Sequence, residues 1–184
     1  MRGVASLVVH ANIDQFTNAQ MTEEGLLMQG ADLKPMFQDF NMHVEFRVPY
    51  MPEADGQARG NSGLYLQSRY ECQILDSFAL DPLFNGLGSL YRFKSPDVNM
   101  ALPPLTWQTY DVDFTAARFD ADDKVLAPAK ITVRLNGIVI HQDQELSETT
   151  TAAPIGQITP EPGPIFIQHH GNPVYYRNIW IIPK

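Results

Sequence analysis

The sequence is short of several things, and each shortage removes a class of protein. It holds a single cysteine, Cys72, so no disulfide can form within the chain. That leaves the compartment open, because large secreted domains need none. No apolar run approaches the ~18 residues of a membrane-spanning helix. There is no basic run: Lys and Arg number 13 against 21 Asp and Glu, a net charge of −8. Nucleic acid and anionic lipid both need clustered Lys and Arg, so neither is expected as a partner, and no membrane insertion is expected. Residues 1–10 carry a short apolar patch with one Arg and no small-residue cleavage site, which is not the pattern of a signal peptide. His-Glu-x-x-His, Walker, Cys-x-x-Cys and Gly-x-Ser-x-Gly motifs are absent. Gly86-Leu87-Gly88 lacks the third glycine and the following helix of a nucleotide loop.

A helical period is missing too, and what remains is strand. Apolar residues make up 44% of 184, enough to fill the core of one domain spanning 1–184. The abrupt start suggests that this domain is trimmed from a longer chain. The clearest signal is Ile131-Thr132-Val133-Arg134-Leu135, Asn136-Gly137, Ile138-Val139-Ile140-His141. Asn-Gly between β-branched runs predicts a two-residue hairpin turn, in which both residues take positive φ. Further strands are expected over 26–29, 42–48, 64–67, 70–75, 89–93, 107–114, 164–168 and 174–182. Pro49-Tyr50-Met51-Pro52, Asp55-Gly56, Pro103-Pro104 and Pro160-Glu161-Pro162-Gly163 punctuate them. Residues 146–162 read as a long surface loop. Roughly ten short strands without a helix predict an all-β sandwich or barrel.

The informative stretch is 59–77. Leu64, Leu66, Tyr70, Cys72 and Ile74 share one face if 64–75 is a hairpin with a three-residue loop at 67–69. Tyr65, Glu71 and Gln73 then share the other. An acid, an amide and a ring on one sheet face suit either a solvated surface or a sugar site, and parity does not choose between them. Cys72 falls on the apolar side, where a thiol is inert.

Several motifs in order resemble the 3-keto-disaccharide hydrolase family. They are Arg59-Gly60-Asn61-Ser62-Gly63-Leu64-Tyr65-Leu66-Gln67, Arg69-Tyr70-Glu71-Cys72-Gln73-Ile74-Leu75-Asp76-Ser77, His43-Val44-Glu45-Phe46-Arg47, Trp107-Gln108-Thr109-Tyr110-Asp111, Gln168-His169-His170-Gly171-Asn172-Pro173 and Tyr176-Arg177-Asn178-Ile179-Trp180. The chain departs from the family in two places. It lacks the Phe-Asn-Gly opening, and 85–91 lacks a Cys-Gly pair. The resemblance implies a concanavalin-like jelly roll of two antiparallel sheets with a sugar site. It also implies action on glycosides already oxidised at C3, and export to the periplasm or cell exterior.

A C3 ketone acidifies the C2 proton. Its removal lets the C1 substituent leave, and water then adds. That route needs a base, an electrophile at the C3 oxygen and an acid for the leaving group. A divalent metal could serve as the electrophile. Glu71 and His170 are the candidate catalytic groups, as base, acid or metal ligands. Asp76 joins them from the same motif, although turn chemistry alone would explain it. Which of His169 and His170 faces the site stays open, with family spacing favouring His170. The candidate substrate-binding residues are Tyr65, Gln73, Arg69, Gln168, Arg177, Asn178 and Asn61. A structural role for Arg177 in a carboxylate pair is an equal reading, and Asn61 also suits a turn. His43 reads as an ordinary strand histidine. Tyr176 and Ile179, three apart, both reach the core only across a bulge. The alternative function is a carbohydrate-binding module of the same fold without turnover.

Overall fold

Alternation of large apolar and polar residues builds two facing sheets. The structure, a computed structural model, describes residues 13–184; the apolar patch at 1–10 lies outside the described residues. The strands are β1 Phe16–Thr17, β2 Leu27–Met28, β3 Ala31–Phe37, β4 Phe40–Arg47, β5 Ser62–Leu66, β6 Tyr70–Ile74, β7 Gln108–Thr115, β8 Arg118–Phe119, β9 Val125–Ala127, β10 Ala129–Leu135, β11 Ile138–Leu146, β12 Gly163–Ile167 and β13 Tyr175–Pro183. One sheet has the order β1-β3-β12-β5-β6 and the other β11-β10-β7-β4-β13-β2, while β8 and β9 form a small ribbon. Every strand pairing is antiparallel. The layers enclose one apolar core: the sandwich that the strand pattern allows and the jelly roll that the family resemblance implies.

Strand β4 shows how sequence becomes layer. Phe40, Met42, Val44 and Phe46 are buried, while Asn41, His43, Glu45 and Arg47 point outward. Opposite them β7 sends in Tyr110, Val112 and Phe114. The Phe46 and Tyr110 rings lie 4.9 Å apart and Phe40 and Phe114 5.1 Å. Tyr70 on β6 meets Phe114 at 5.7 Å, joining the sheets through ring contacts.

The hairpin β10–β11 turns on Asn136 and Gly137, with φ of 52° and 82° and Leu135 facing Ile138. The bulge on β13 is present between Arg177 and Trp180, with Asn178 at φ 47°. Two expectations need correction. Residues 89–93 do not form a strand. Leu90 makes single bridges to Cys72 and to Lys94, so the chain touches the edge of β6 and doubles back at once. Conversely β3, which contains Pro35, is a strand that the sequence reading passed over. Its partner β1 pairs only with Leu33 and Asp32, and its other neighbour β12 shifts register between Pro164 and Phe166, so Pro35 sits past one ladder and at an irregularity of the other, where a missing N–H is tolerated. Among the described residues, no helix is long and apolar enough to cross a membrane.

Candidate active site

The loop at 67–69 has the expected three residues, since Leu66 faces Tyr70. Parity therefore holds. Tyr65 pairs with Glu71 and Gly63 with Gln73 on the outer side of the sheet, while Leu64 and Cys72 turn into the core. That outer side is not solvated, however: Tyr65, Glu71 and Gln73 are almost wholly buried. Loops roof it. Ser89 O accepts from Gln73 N at 2.9 Å and Glu71 O accepts from Tyr91 N at 3.1 Å, so residues 88–91 line the free edge of β6. Thr150 Oγ1 accepts from Glu71 N at 2.9 Å, bringing the 147–162 loop onto the hairpin.

Under this roof lies a cavity of about 110 Å³, lined by Gln57, Asn61, Tyr65, Glu71, Gln73, Tyr91, Ala152, Gln168 and His170. The Tyr65 hydroxyl donates to Glu71 Oε2 at 2.8 Å and accepts from Gln168 Nε2 at 3.2 Å. Burial pushes the Glu71 carboxyl up to about 7, against the downward pull of the Tyr65 hydrogen bond. Among the described residues, no cation pairs with it. Its carboxylate occupies the space above Gly63, where an added Cβ would lie 2.2 Å from Oε1. Gln73 Nε2 and Asn61 Nδ2 both converge on Gln57, at 3.0 Å to its Oε1 and 2.7 Å to its backbone oxygen. Of the residues lining the cavity, Asn61 Oδ1 and Gln168 Oε1 are buried acceptors that find no donor among the described residues. Gln168 is itself fixed from the core. Tyr176 Oη on β13 donates to Ser62 Oγ at 2.6 Å, and Ser62 Oγ donates to Gln168 O at 2.7 Å.

The consecutive histidines part company. His170 lines this cavity, while His169 lines the neighbouring cleft and packs over Gly30. Six of the ten sequence candidates therefore meet at one place: Glu71, Tyr65, Gln73, Gln168, Asn61 and His170. Four do not. Asp76 lies 3.2 Å from Arg59 Nε and accepts from Phe78 N at 3.3 Å, an ion pair and a turn away from the cavity. Arg177 and Asn178 follow the inward Tyr176 and lie on the outer face of the six-stranded sheet, the opposite layer from Glu71. There they donate to Glu45 at 2.6 and 2.9 Å. Burial raises the Glu45 carboxyl, but these two hydrogen bonds and the Arg177 charge outweigh it and hold the group below its ordinary value. The Arg177 guanidinium stands 4.0 Å over the Trp107 ring.

Arg69 is the fourth. Its guanidinium is buried and donates to Gln157 O at 2.9 Å, Thr159 Oγ1 at 2.7 Å and Gln67 Oε1 at 3.2 Å. It ties down the 147–162 loop rather than meeting the cavity. Arg69→Met is expected to cost about 3 kcal/mol in equilibrium unfolding, because charged hydrogen bonds are lost and buried acceptors left unpaired. Limited proteolysis should then cut within 147–162; a cleavage rate equal to wild type would refute this role.

Gln57, Tyr91 and Ala152 were not singled out from sequence. They come from a single 3-10 turn, a doubled-back segment and a loop, none of which carries a period to read. Among the described residues, no group of three or more His, Cys, Asp or Glu side chains could hold a metal ion. Glu71 and His170 offer two such ligands, short of the three protein ligands that catalytic zinc sites commonly use. The donor set does not fit a resident ion of that kind.

The protein is thus a jelly roll whose five-stranded sheet carries a buried acid, an imidazole and amides around one cavity. The chain belongs to the 3-keto-disaccharide hydrolase family, whose model, described as a 3-keto-alpha-glucoside-1,2-lyase-like domain, matches residues 13–182. A crystal structure of a "putative glycosyl hydrolase" from Parabacteroides distasonis is 28% identical over 100% of this chain and 84% of that one, with a TM-score of 0.86. A second protein of that description from the same organism is 18% identical with full coverage of both chains and a TM-score of 0.66. An alginate lyase from Chlorella virus is 10% identical, covers 99% of this chain and 100% of that one, and has a TM-score of 0.51, a likeness of fold. No curated protein matches the chain.

Proposed function

We propose that the protein cleaves 3-keto-α-glucosides by elimination and hydration, with Glu71 as base and His170 as acid. The observation that carries this is the Glu71 carboxyl. Burial brings it to about 7, held on Tyr65 at 2.8 Å and sharing a cavity with His170. A carboxylate poised near neutral pH is a stronger base than a surface one and is still half ionised there. Glu71 takes the proton from C2, and the electron pair flows into the C2–C3 bond and onto the C3 oxygen. The enolate collapses, the C1–O bond breaks, and the leaving oxygen takes a proton from His170 acting as general acid. Water then adds at C1 and a proton returns to C2, so the net reaction is hydrolysis. Tyr91 and the Gln73 amide line the cavity as donors for the C3 oxygen. The Asn61 and Gln168 side-chain amides, which line the cavity, bond sugar hydroxyls.

Those two amides also suit a binding module without turnover, which is the second reading. A 3-ketoglucoside with a chromogenic leaving group separates the two. Release is expected, with the rising limb of a bell-shaped kcat/KM profile near pH about 7 as Glu71 ionises, unchanged by EDTA. Binding with no release at any pH, with or without divalent metal, would leave the module. Release abolished by EDTA would overturn the metal-free scheme.

A further inference from the structure

The amide of Gln73 is held in one orientation from both ends. Its Oε1 accepts from Ile74 N at 2.9 Å, and its Nε2 donates to Gln57 Oε1 at 3.0 Å. Backbone groups set this polarity, because a backbone N–H only donates and a backbone carbonyl only accepts. Ile74 N requires an oxygen opposite it. Asn85 O requires a nitrogen opposite it, and Gln57 Nε2 stands there at 2.8 Å. Gln57 therefore turns its own oxygen to Gln73, and Gln73 answers with nitrogen. The Asn61 amide depends on the same residue, since its Nδ2 donates to Gln57 O at 2.7 Å. Gln57 sits on the short turn Gly56–Ala58, outside both sheets, and lines the cavity beside Gln73 and Asn61.

We propose that Gln57 is a positioning residue that makes the site selective for the oxidation state of the sugar, by fixing Gln73 as a donor that takes a C3 carbonyl and rejects a C3 hydroxyl. The inference rests on the substrate assigned above and names what selects it. One N–H of Gln73 goes to Gln57, so the other is what Gln73 has left for a ligand in the cavity it lines. A ketone oxygen only accepts, which matches that N–H. A hydroxyl also brings a hydrogen, and Gln73 Oε1 is turned back to Ile74 N. Gln73 is 1% exposed, so water does not make up for a mismatched pair there. Gln57 acts through Gln73, because its oxygen is engaged by that amide and its nitrogen by Asn85 O. Without Gln57, Gln73 keeps a single bond to Ile74 N, and its amide is free to turn either atom to the ligand.

The test reads binding apart from turnover. Kd values for methyl 3-keto-α-glucoside and for methyl α-glucoside are measured by NMR titration in Glu71→Gln, alone and with Gln57→Met or Gln57→Glu added. Gln57→Met removes the oxygen that holds Gln73 Nε2. The preference for the ketone should then fall by about tenfold, mainly through weaker ketone binding. Gln57→Glu keeps an oxygen for Gln73 and should hold the preference within about twofold. Both variants lose the bond to Asn85 O, so a merely structural role would affect them alike. Three outcomes overturn the proposal: no preference for the ketone in Glu71→Gln alone, equal loss of both sugars in Gln57→Met, or a fall in Gln57→Glu as large as in Gln57→Met. Turnover by wild type decides the cleavage reading separately. No release, with a preference that collapses in Gln57→Met alone, keeps the selection and removes the cleavage. Release with an unmoved preference does the reverse.

Discussion

Glu71→Gln is expected to be both inactive and more stable than wild type above neutral pH. The two effects share one cause. A carboxyl at about 7 in the folded protein has an ordinary value of 4.5 when exposed. Between those values the folded state binds more protons than the unfolded one, so stability falls as pH rises through the window. The full loss, on the order of 3 kcal/mol, is reached above pH 7. Glutamine does not titrate, and its amide oxygen still accepts from Tyr65. The variant should therefore melt close to wild type at pH 5 and on the order of 10 °C higher at pH 8. Turnover should fall by about 10³-fold or more, since the base is gone. Melting curves at the two pH values decide the matter; a Tm difference that does not change with pH would show that Glu71 is ordinarily ionised.

The second large effect is expected at Gly63. Its φ is not positive, so alanine suits the backbone. The obstacle is the side chain of Glu71, which a Cβ would meet at 2.2 Å from Oε1, 3.0 Å from Cδ and 3.1 Å from Cγ. The carboxylate must swing aside, while the fold has little else to rearrange. Gly63→Ala should remain folded and lose about 10²-fold in kcat, because a base misplaced by an ångström no longer reaches the proton it removes. A double-mutant cycle checks the mechanism. The stability cost of Gly63→Ala should largely vanish in a Glu71→Ala background, where the three nearest obstructing atoms are gone. An equal cost in both backgrounds would place the strain elsewhere.

What could be read before folding was what depends on period and on short-range turn chemistry. The two-residue turn at Asn136-Gly137, the face shared by Tyr65, Glu71 and Gln73, and the bulge between Tyr176 and Ile179 all follow from local rules. What escaped depends on long-range closure. Parity put the Glu71 face outside the core, but only the fold brings residues 88–91 and 147–162 over it. Arg69, at a hairpin tip, had the look of a ligand contact; its partners Gln157 and Thr159 are about 90 positions away in the chain. Arg177 and Asn178 share a motif with the core residue Tyr176, yet the sandwich gives that motif to the other layer. The missed strand β3 shows the same limit, because Pro35 is tolerated only where β1 ends and β12 shifts register.

The relay from Tyr176 through Ser62 to Gln168 makes the sandwich a kind of calliper. Tyr176 belongs to one layer and Gln168 extends the other, so the spacing between layers sets where the Gln168 amide stands in the cavity. That spacing is fixed by ring-on-ring packing well away from any sugar, such as Tyr70 against Phe114. Trimming such a ring should therefore register twice: as lost stability, and as weaker sugar affinity in a site that no altered atom touches.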